Sequence, residues 1–178
     1  EGRVSLYRGS SGGLGAASWT AESDQAGAQF GYSVATAGDV NGDGFSDVLV
    51  GAWFYDNGQA DEGQAFVYHG SAWIRGLGVW NASGDELGSL FGHSVATAGD
   101  VDGDGRLDLC VSDGDGAQIL VYLQNAQGEL GEAQAYPSLS EVRALAAADW
   151  DGDGRAELFV VSAKEQTLGL ARHAKGGR

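Results

Sequence analysis

Apolar residues in this chain fall in short runs separated by polar, glycine-rich stretches. Val48-Leu-Val50, Leu109-Cys-Val111 and Leu158-Phe-Val160 are three such runs, each opened by Asp or Glu and ended by Gly51, by Ser112 or, after one more valine, by Ser162. Runs this short and rich in β-branched or bulky residues predict buried strands, not helices. Each is preceded by an alternating or small-residue segment (33–39, 94–100, 143–149) that reads as a first strand, the apolar runs themselves giving second strands at 47–52, 108–112 and 157–162. After a variable loop comes a third strand, at Gly63–His69, Gln118–Leu123 and Thr167–Ala171, and weaker outer strands are expected near Gly76–Asn81 and Gly131–Tyr136. The chain opens in mid-unit: Gly2–Gly9 reads as a third strand and Ala16–Thr20 as a fourth. The units repeat in sequence as well as in pattern, for Phe30–Asp39 and Phe91–Asp100 differ only at Tyr32 and His93.

Between first and second strands lies the same acidic stretch each time. Asp39, Asn41, Asp43 and Asp47 recur as Asp100, Asp102, Asp104 and Asp108, and again as Asp149, Asp151, Asp153 and Glu157. Oxygen-bearing side chains thus occupy loop positions 1, 3, 5 and 9, with Gly44, Gly105 or Gly154 at position 6. A turn that sets carboxylates on alternate residues wraps them around one hard cation, and calcium takes about 6–8 oxygens in flexible geometry. Position 7 would add the backbone carbonyl of Phe45, Arg106 or Arg155. A helix–loop–helix calcium site is excluded, because position 12 is Val50, Val111 or Val160 inside a strand, where that site needs a bidentate Glu. One such stretch alone would read equally well as an acidic turn; three with the same oxygen pattern point to about three calcium sites.

Charge and composition narrow the function classes. The formal net charge of −15 excludes a general nucleic-acid binder. Three, four and four of the 25 acidic residues lie in the three loops, so much of the charge has a local cause that bound calcium would relieve. With 31 Gly and 1 Pro, the chain favours tight turns between short strands. Cys110 is the only cysteine, so no intrachain disulfide forms, and its place in a buried strand makes it a small core residue. No apolar run approaches the ~20 residues of a membrane-spanning helix. The abrupt start at Glu1, with no signal peptide, is what a processed or truncated product would show.

The succession Phe-Gly-x-Ser-Val-Ala, then Gly38-Asp-Val-Asn-Gly-Asp-Gly with Asp47-Val-Leu-Val-Gly-Ala52, then Gly63 with Val67-Tyr68 and Gly70, resembles the FG-GAP repeat of integrin α-subunit β-propellers and of bacterial surface proteins. The likeness spans nearly the whole chain; the third unit departs from it, with Ser140-Glu141 for Phe-Gly and Glu157 for the ninth-position Asp. The second unit reads Ser112-Asp113 in place of Gly-Ala. The resemblance implies an all-β fold, a β-propeller segment of about three four-stranded blades with calcium loops. Residues 1–20 would be strands of a split blade, 21–81 a blade with loop 39–47, 82–136 a blade with loop 100–108, and 137–178 a partial blade with loop 149–157. That is too few for a closed ring of roughly 4–8 blades. The expected partners are therefore further blades from the same precursor or from a second chain, together with a protein or glycan ligand. The expected setting is extracellular or at the cell surface.

Other constellations carry less. Gly92-His93-Ser94 resembles a nucleophile elbow but is followed by β-type residues, where an elbow needs a helix. The close carboxylates would be held ionised by calcium, so they supply no raised-pKa acid for glycoside chemistry. No catalytic residues are expected. Phe30, Phe66, Tyr68, Phe91 and Tyr122 read as blade-packing residues, and Trp150, which stands in place of Val40 and Val101, as structural. Trp53, Phe54 and Tyr55 lie in a variable loop after a second strand, where scaffolds carry recognition; by the resemblance this is the face opposite the calcium loops. The reading is a calcium-stabilised adhesion module. The alternatives are a lectin stacking sugar on Trp53 or Tyr55, and an accessory propeller of a secreted hydrolase. Asn81-Ala-Ser83 satisfies a glycosylation sequon, and His173–Arg178 reads as a solvated tail.

Overall fold

A computed structural model describes residues 1–71, 78–114 and 117–171; the expected strand start at Gly76 and the tail His173–Arg178 lie outside the described residues. Among the described residues the fold is all-β. The hairpin of β1 (Arg3–Ser10) and β2 (Gly13–Glu22) is followed by two four-stranded sheets and a three-stranded one. The first holds β3 (Ser33–Gly38), β4 (Asp47–Ala52), β5 (Gln64–Tyr68) and β6 (Gly78–Ser83). The second holds β7 (Val95–Gly99), β8 (Asp108–Asp113), β9 (Gln118–Tyr122) and β10 (Gln134–Pro137). The last holds β11 (Val142–Ala148), β12 (Glu157–Ser162) and β13 (Thr167–Ala171). Every strand pairs antiparallel with its sequence neighbour, so each sheet is a simple meander.

The outer strands sit a little beyond their expected places. β6 runs on to Ser83, which pairs with Gln64. β10 begins at Gln134 and not at Gly131, because the Gly131 N–H donates to the Leu123 carbonyl (2.9 Å) and closes a turn first.

First strands β3, β7 and β11 pack side by side, and each sheet lays one face on the next. Three apolar layers result. Val4 and Trp19 of the N-terminal hairpin pack on Phe30, Val50 and Tyr68 of the first sheet. Leu49 and Val67 meet Phe91, Leu109 and Val111 between the first and second sheets. Cys110, Ile119 and Val121 meet Val142, Leu145 and Val160 between the second and third. Cys110 is fully buried, and burial pushes its thiol up to about 12, as suits an inert core residue.

The hairpin repeats a contact made between the first and second sheets. The Phe91 N–H donates to the Glu62 carbonyl (3.2 Å) just before β5, and the Phe30 N–H donates to the Glu1 carbonyl (2.9 Å) just before β1. β1 and β2 therefore stand to the first sheet as β5 and β6 stand to the second.

The sheets do not close into a ring, and the last one shows what closure would cover. Val40 is 2 % exposed beneath the second sheet, whereas Trp150, at the same loop position in the third unit, is 64 % exposed with its ring edge-on to Phe159. Trp150, expected to be structural like Val40, is exposed because among the described residues no sheet lies beyond it. Val161, Leu168 and Leu170 are exposed on that same sheet, and Tyr7 and Leu14 on the N-terminal hairpin. The molecule is an arc of a β-propeller with both ends open.

Close approach of successive sheets explains one glycine position. Gly38 (φ 74°) and Gly99 (φ 72°) end their first strands in the left-handed region, and a Cβ there would collide with Leu107 and Ala156, respectively, of the next unit's loop. The third unit has Ala148 at this place, exposed, and among the described residues no following loop meets it. Gly99→Ala should therefore destabilise the chain by roughly 2 kcal/mol or more, from the left-handed φ and overpacking together. Ala148→Gly should cost at most about 1 kcal/mol. Urea denaturation midpoints of the two variants check the contrast.

Candidate functional site

The three acidic loops close on themselves by the same hydrogen bonds. Position 1 receives the backbone N–H of position 6 each time: Gly44 to Asp39 Oδ2 (2.8 Å), Gly105 to Asp100 Oδ2 (2.8 Å) and Gly154 to Asp149 Oδ2 (3.1 Å). Position 3 receives the N–H of position 5, as Asp43 donates to Asn41 Oδ1 (2.9 Å), Asp104 to Asp102 Oδ1 (3.1 Å) and Asp153 to Asp151 Oδ1 (3.3 Å). Position 5 receives the N–H of position 7, from Phe45, Arg106 and Arg155 at 2.9, 2.9 and 3.0 Å. Short Asx side chains bonding to backbone two residues on are what fold such a turn.

Position 9 does different work, and the sequence pattern alone did not reveal it. Asp47 is 1 % exposed and accepts from the N–H groups of Val40 (2.9 Å) and, across the sheet, Gly70 (2.7 Å). Asp108 does the same with Val101 and Gln124, both at 2.9 Å. Glu157 reaches the Trp150 N–H at 2.7 Å, so the longer side chain fills the same role at the loop's start. The ninth residue thus ties the loop to its own sheet. Burial raises the pKa of Asp47 and of Asp108 from the usual carboxylate value; backbone donors oppose the rise, and at Asp108 the neighbouring Asp102 and Asp104 add to it.

Ligand atoms of Asp100, Asp102 and Asp108 lie within 4.8 Å of one another, as do those of Asp149, Asp151 and Glu157. Positions 1, 3 and 9 therefore converge in the second and third loops. In the first loop, position 3 is the amide Asn41, whose Nδ2 donates to Asp43 Oδ2 (2.9 Å). Position 5 is turned elsewhere in the second loop, where Asp104 pairs with the Arg106 guanidinium.

Trp53, Phe54 and Tyr55 leave β4 at the end opposite loop 39–47, which joins β3 to β4. They do not act as one patch. Tyr55 sets its ring edge-on to Phe66 and joins the layer beneath the N-terminal hairpin. Trp53 stacks on Phe54 (3.9 Å between centroids) and approaches Tyr32 (5.0 Å) and His93 (4.8 Å). Ser94 is buried, its N–H donating to Ser112 Oγ (2.9 Å), and the chain continues as strand β7, so the strand–turn–helix context of a nucleophile elbow is not what surrounds it. Arg143, which sequence reasoning passed over, brings Nη1 to 3.0 Å from His93 Nε2. Its only signal was substitution at a repeated position, Arg where the first two units have Ser33 and Ser94.

Comparison with known proteins agrees with these repeats. An FG-GAP repeat model matches residues 30–68 and an FG-GAP-like repeat model matches residues 100–160. Integrin alpha-V of Gallus gallus is 34% identical over 134 residues, 71% of this chain and 12% of that protein. Integrin alpha-5 of Xenopus laevis is 35% identical over 158 residues, 77% of this chain and 15% of that protein. Integrin alpha-IIb of Homo sapiens is 35% identical over 117 residues, 59% of this chain and 11% of that protein. The chain thus spans only a small part of these relatives' length. It is built of FG-GAP repeats of the integrin α-subunit type.

Proposed function

We propose that this chain is a calcium-stabilised protein-interaction module of the integrin-like adhesion type, one arc of a larger propeller. The observation that carries the reading is the threefold loop, with acids of positions 1, 3 and 9 converging within 4.8 Å in the second and third copies. That donor set is all oxygen and strongly anionic, which suits a hard divalent cation. The first site would be held by Asp39, Asn41, Asp43, Asp47 and the Phe45 carbonyl. The second would use Asp100, Asp102, Asp104, Asp108 and the Arg106 carbonyl. Asp149, Asp151, Asp153, Glu157 and the Arg155 carbonyl would make the third. Calcium would neutralise crowded carboxylates and brace each first strand to its second. Affinities on the order of 10⁻⁴–10⁻³ M would suit an extracellular or cell-surface setting. A protein ligand is favoured over sugar because Tyr55 is turned against Phe66 and Trp53 is stacked on Phe54, so neither ring offers a free platform.

Calcium should raise the melting temperature several-fold more than any effect of magnesium, read by calorimetry against chelator; identical melts with and without calcium would defeat the reading. Asp102→Ala separates metal binding from loop folding, since Asp102 accepts only the Asp104 N–H in the loop. It should shrink the calcium-dependent gain and leave the melt in chelator close to that of the parent. Asp108→Ala should lower both, because it also removes the acceptor of two backbone donors, each costing about 1–3 kcal/mol when left buried.

The pH dependence has a definite sign. Asp47 and Asp108 have folded pKa values raised by burial, so the folded state holds protons that the unfolded chain has released. Their contribution is destabilising at neutral pH and fades as pH falls toward those raised values. In chelator, the melting temperature should rise on acidification from pH 7 into the upper carboxylate range. With saturating calcium the trend should reverse, because protons then compete with the ion.

Further blades would cover Trp150, Val161, Leu168 and Leu170. The chain alone should self-associate through this face, and Trp150→Ser with Leu168→Ser should shift it toward monomer in sedimentation velocity. A parent chain that stays monomeric at all accessible concentrations would count against the open-ring reading.

A further inference from the structure

The second acidic loop carries a cation of its own. Its seventh residue is Arg106, where the first loop has Phe45. Both oxygens of the position-5 carboxylate are taken by that arginine. Asp104 Oδ1 accepts the Arg106 backbone N–H at 2.9 Å, and Oδ2 pairs with the guanidinium through Nη2. In the first loop Asp43 Oδ1 likewise accepts the Phe45 N–H (2.9 Å), but Oδ2 accepts from the neutral Asn41 amide (2.9 Å). Among the described residues, Asp104 is the one acidic residue of the three loops held in an ion pair.

Surface ion pairs are ordinarily weak, because two long side chains must be ordered to form them. Here one of the two is ordered already. Arg106 Nε donates to the Gln124 carbonyl (3.0 Å), while the Gln124 N–H donates to buried Asp108 (2.9 Å). The guanidinium is thus anchored on the residue that the ninth-position carboxylate fixes. The pair is also partly shielded, with the Arg106 and Asp104 side chains 35 % and 25 % exposed. A second guanidinium lies beside the same loop. A Cβ at Gly103 would stand 3.0 Å from Arg155 Nε, whereas at Gly42 and Gly152 it would meet nothing within 4 Å.

The effect of Arg106 follows from the rest of the donor set. Asp100, Asp102 and Asp108 converge without Asp104. Bringing position 5 to a cation in this loop requires Asp104 to leave Arg106, and it leaves a guanidinium close to that cation. Both raise the free energy of the filled loop. The empty loop, in contrast, gains a counter-ion for its crowded carboxylates.

We propose that Arg106 is an internal competitor for the second calcium site: it holds the position-5 carboxylate, weakens the site for divalent cations and steadies the loop without one. The assignment rests on the calcium reading above and concerns one of its three sites.

The test is a calcium titration of the whole chain by NMR, read at the backbone amides of the sixth-position glycines Gly44, Gly105 and Gly154. In Arg106→Gln the Gly105 midpoint should fall by about threefold or more, as removal of one positive charge close to a divalent ion at a protein surface implies. Gly44 and Gly154 should change less. Arg106→Lys, which keeps the charge but not the planar fork, should lie between parent and Arg106→Gln. The sign separates competition from bracing, since loss of an arginine that only braced the loop would raise the Gly105 midpoint. The difference should shrink at high ionic strength, where the charge is screened. In chelator Arg106→Gln should melt below the parent, and saturating calcium should close the gap. An unchanged or raised Gly105 midpoint in Arg106→Gln, an equal fall at all three glycines, or a chelator melt at or above the parent's would each overturn the assignment. If none of the three glycines of the parent responds to calcium, the calcium reading itself fails and takes this assignment with it, an outcome distinct from the others.

Discussion

A carboxylate buried at the end of a sheet must be given donors, and this chain's repeat is organised around that requirement. Asp47 and Asp108 are 1 % exposed, and a buried unpaired charge would be prohibitive. Each is met by two backbone N–H groups, one from the start of its own loop and one from just beyond the next strand. The ninth loop residue therefore fixes the loop, the second strand and the exit of the third strand in one arrangement. The carboxylates at positions 1, 3 and 5 fold the turn itself by accepting local N–H groups. Those bonds occupy only part of each carboxylate's acceptor capacity. The surplus, all of one sign and crowded together, is what makes the loops suited to a cation.

The same economy governs packing between sheets. Each sheet buries one face on the next, so its stability depends on a neighbour it does not contain. Small residues mark where neighbours approach most closely: Gly38 lies under Leu107 and Gly99 under Ala156. Where the arc ends, the constraint lapses. Ala148 takes the glycine's place, and Trp150 stands in solvent where Val40 is buried.

Much of this was legible in the sequence because two periodicities coincide. The oxygen pattern of the loops and the apolar runs that follow them repeat in phase, so strands, loops and their order could be read from Asp39–Val50, Asp100–Val111 and Asp149–Val160 together. What could not be read depends on residues outside the repeat's own segment. The donors from Gly70 and Gln124 to the ninth position come from the far end of the third strand. Trp150 looked structural because its position is a packing position; only the neighbour was missing. The aromatic triplet looked like one patch, but its side chains divide between two sheet interfaces, Tyr55 toward the hairpin and Trp53 toward His93.

The two ends of the sheets are under opposite demands, and this separates stability from recognition within one unit. At the loop end the repeat fixes which residue accepts which N–H, so a substitution must preserve that bond, as Glu157 does for Asp by reaching the same N–H. At the other end the side chains answer to no such geometry. Tyr32 becomes His93, Ser94 becomes Arg143, and Gly92 becomes Glu141, while the strands behind them keep their pairing. A scaffold clamped at one end can carry new charges at the other without losing its register.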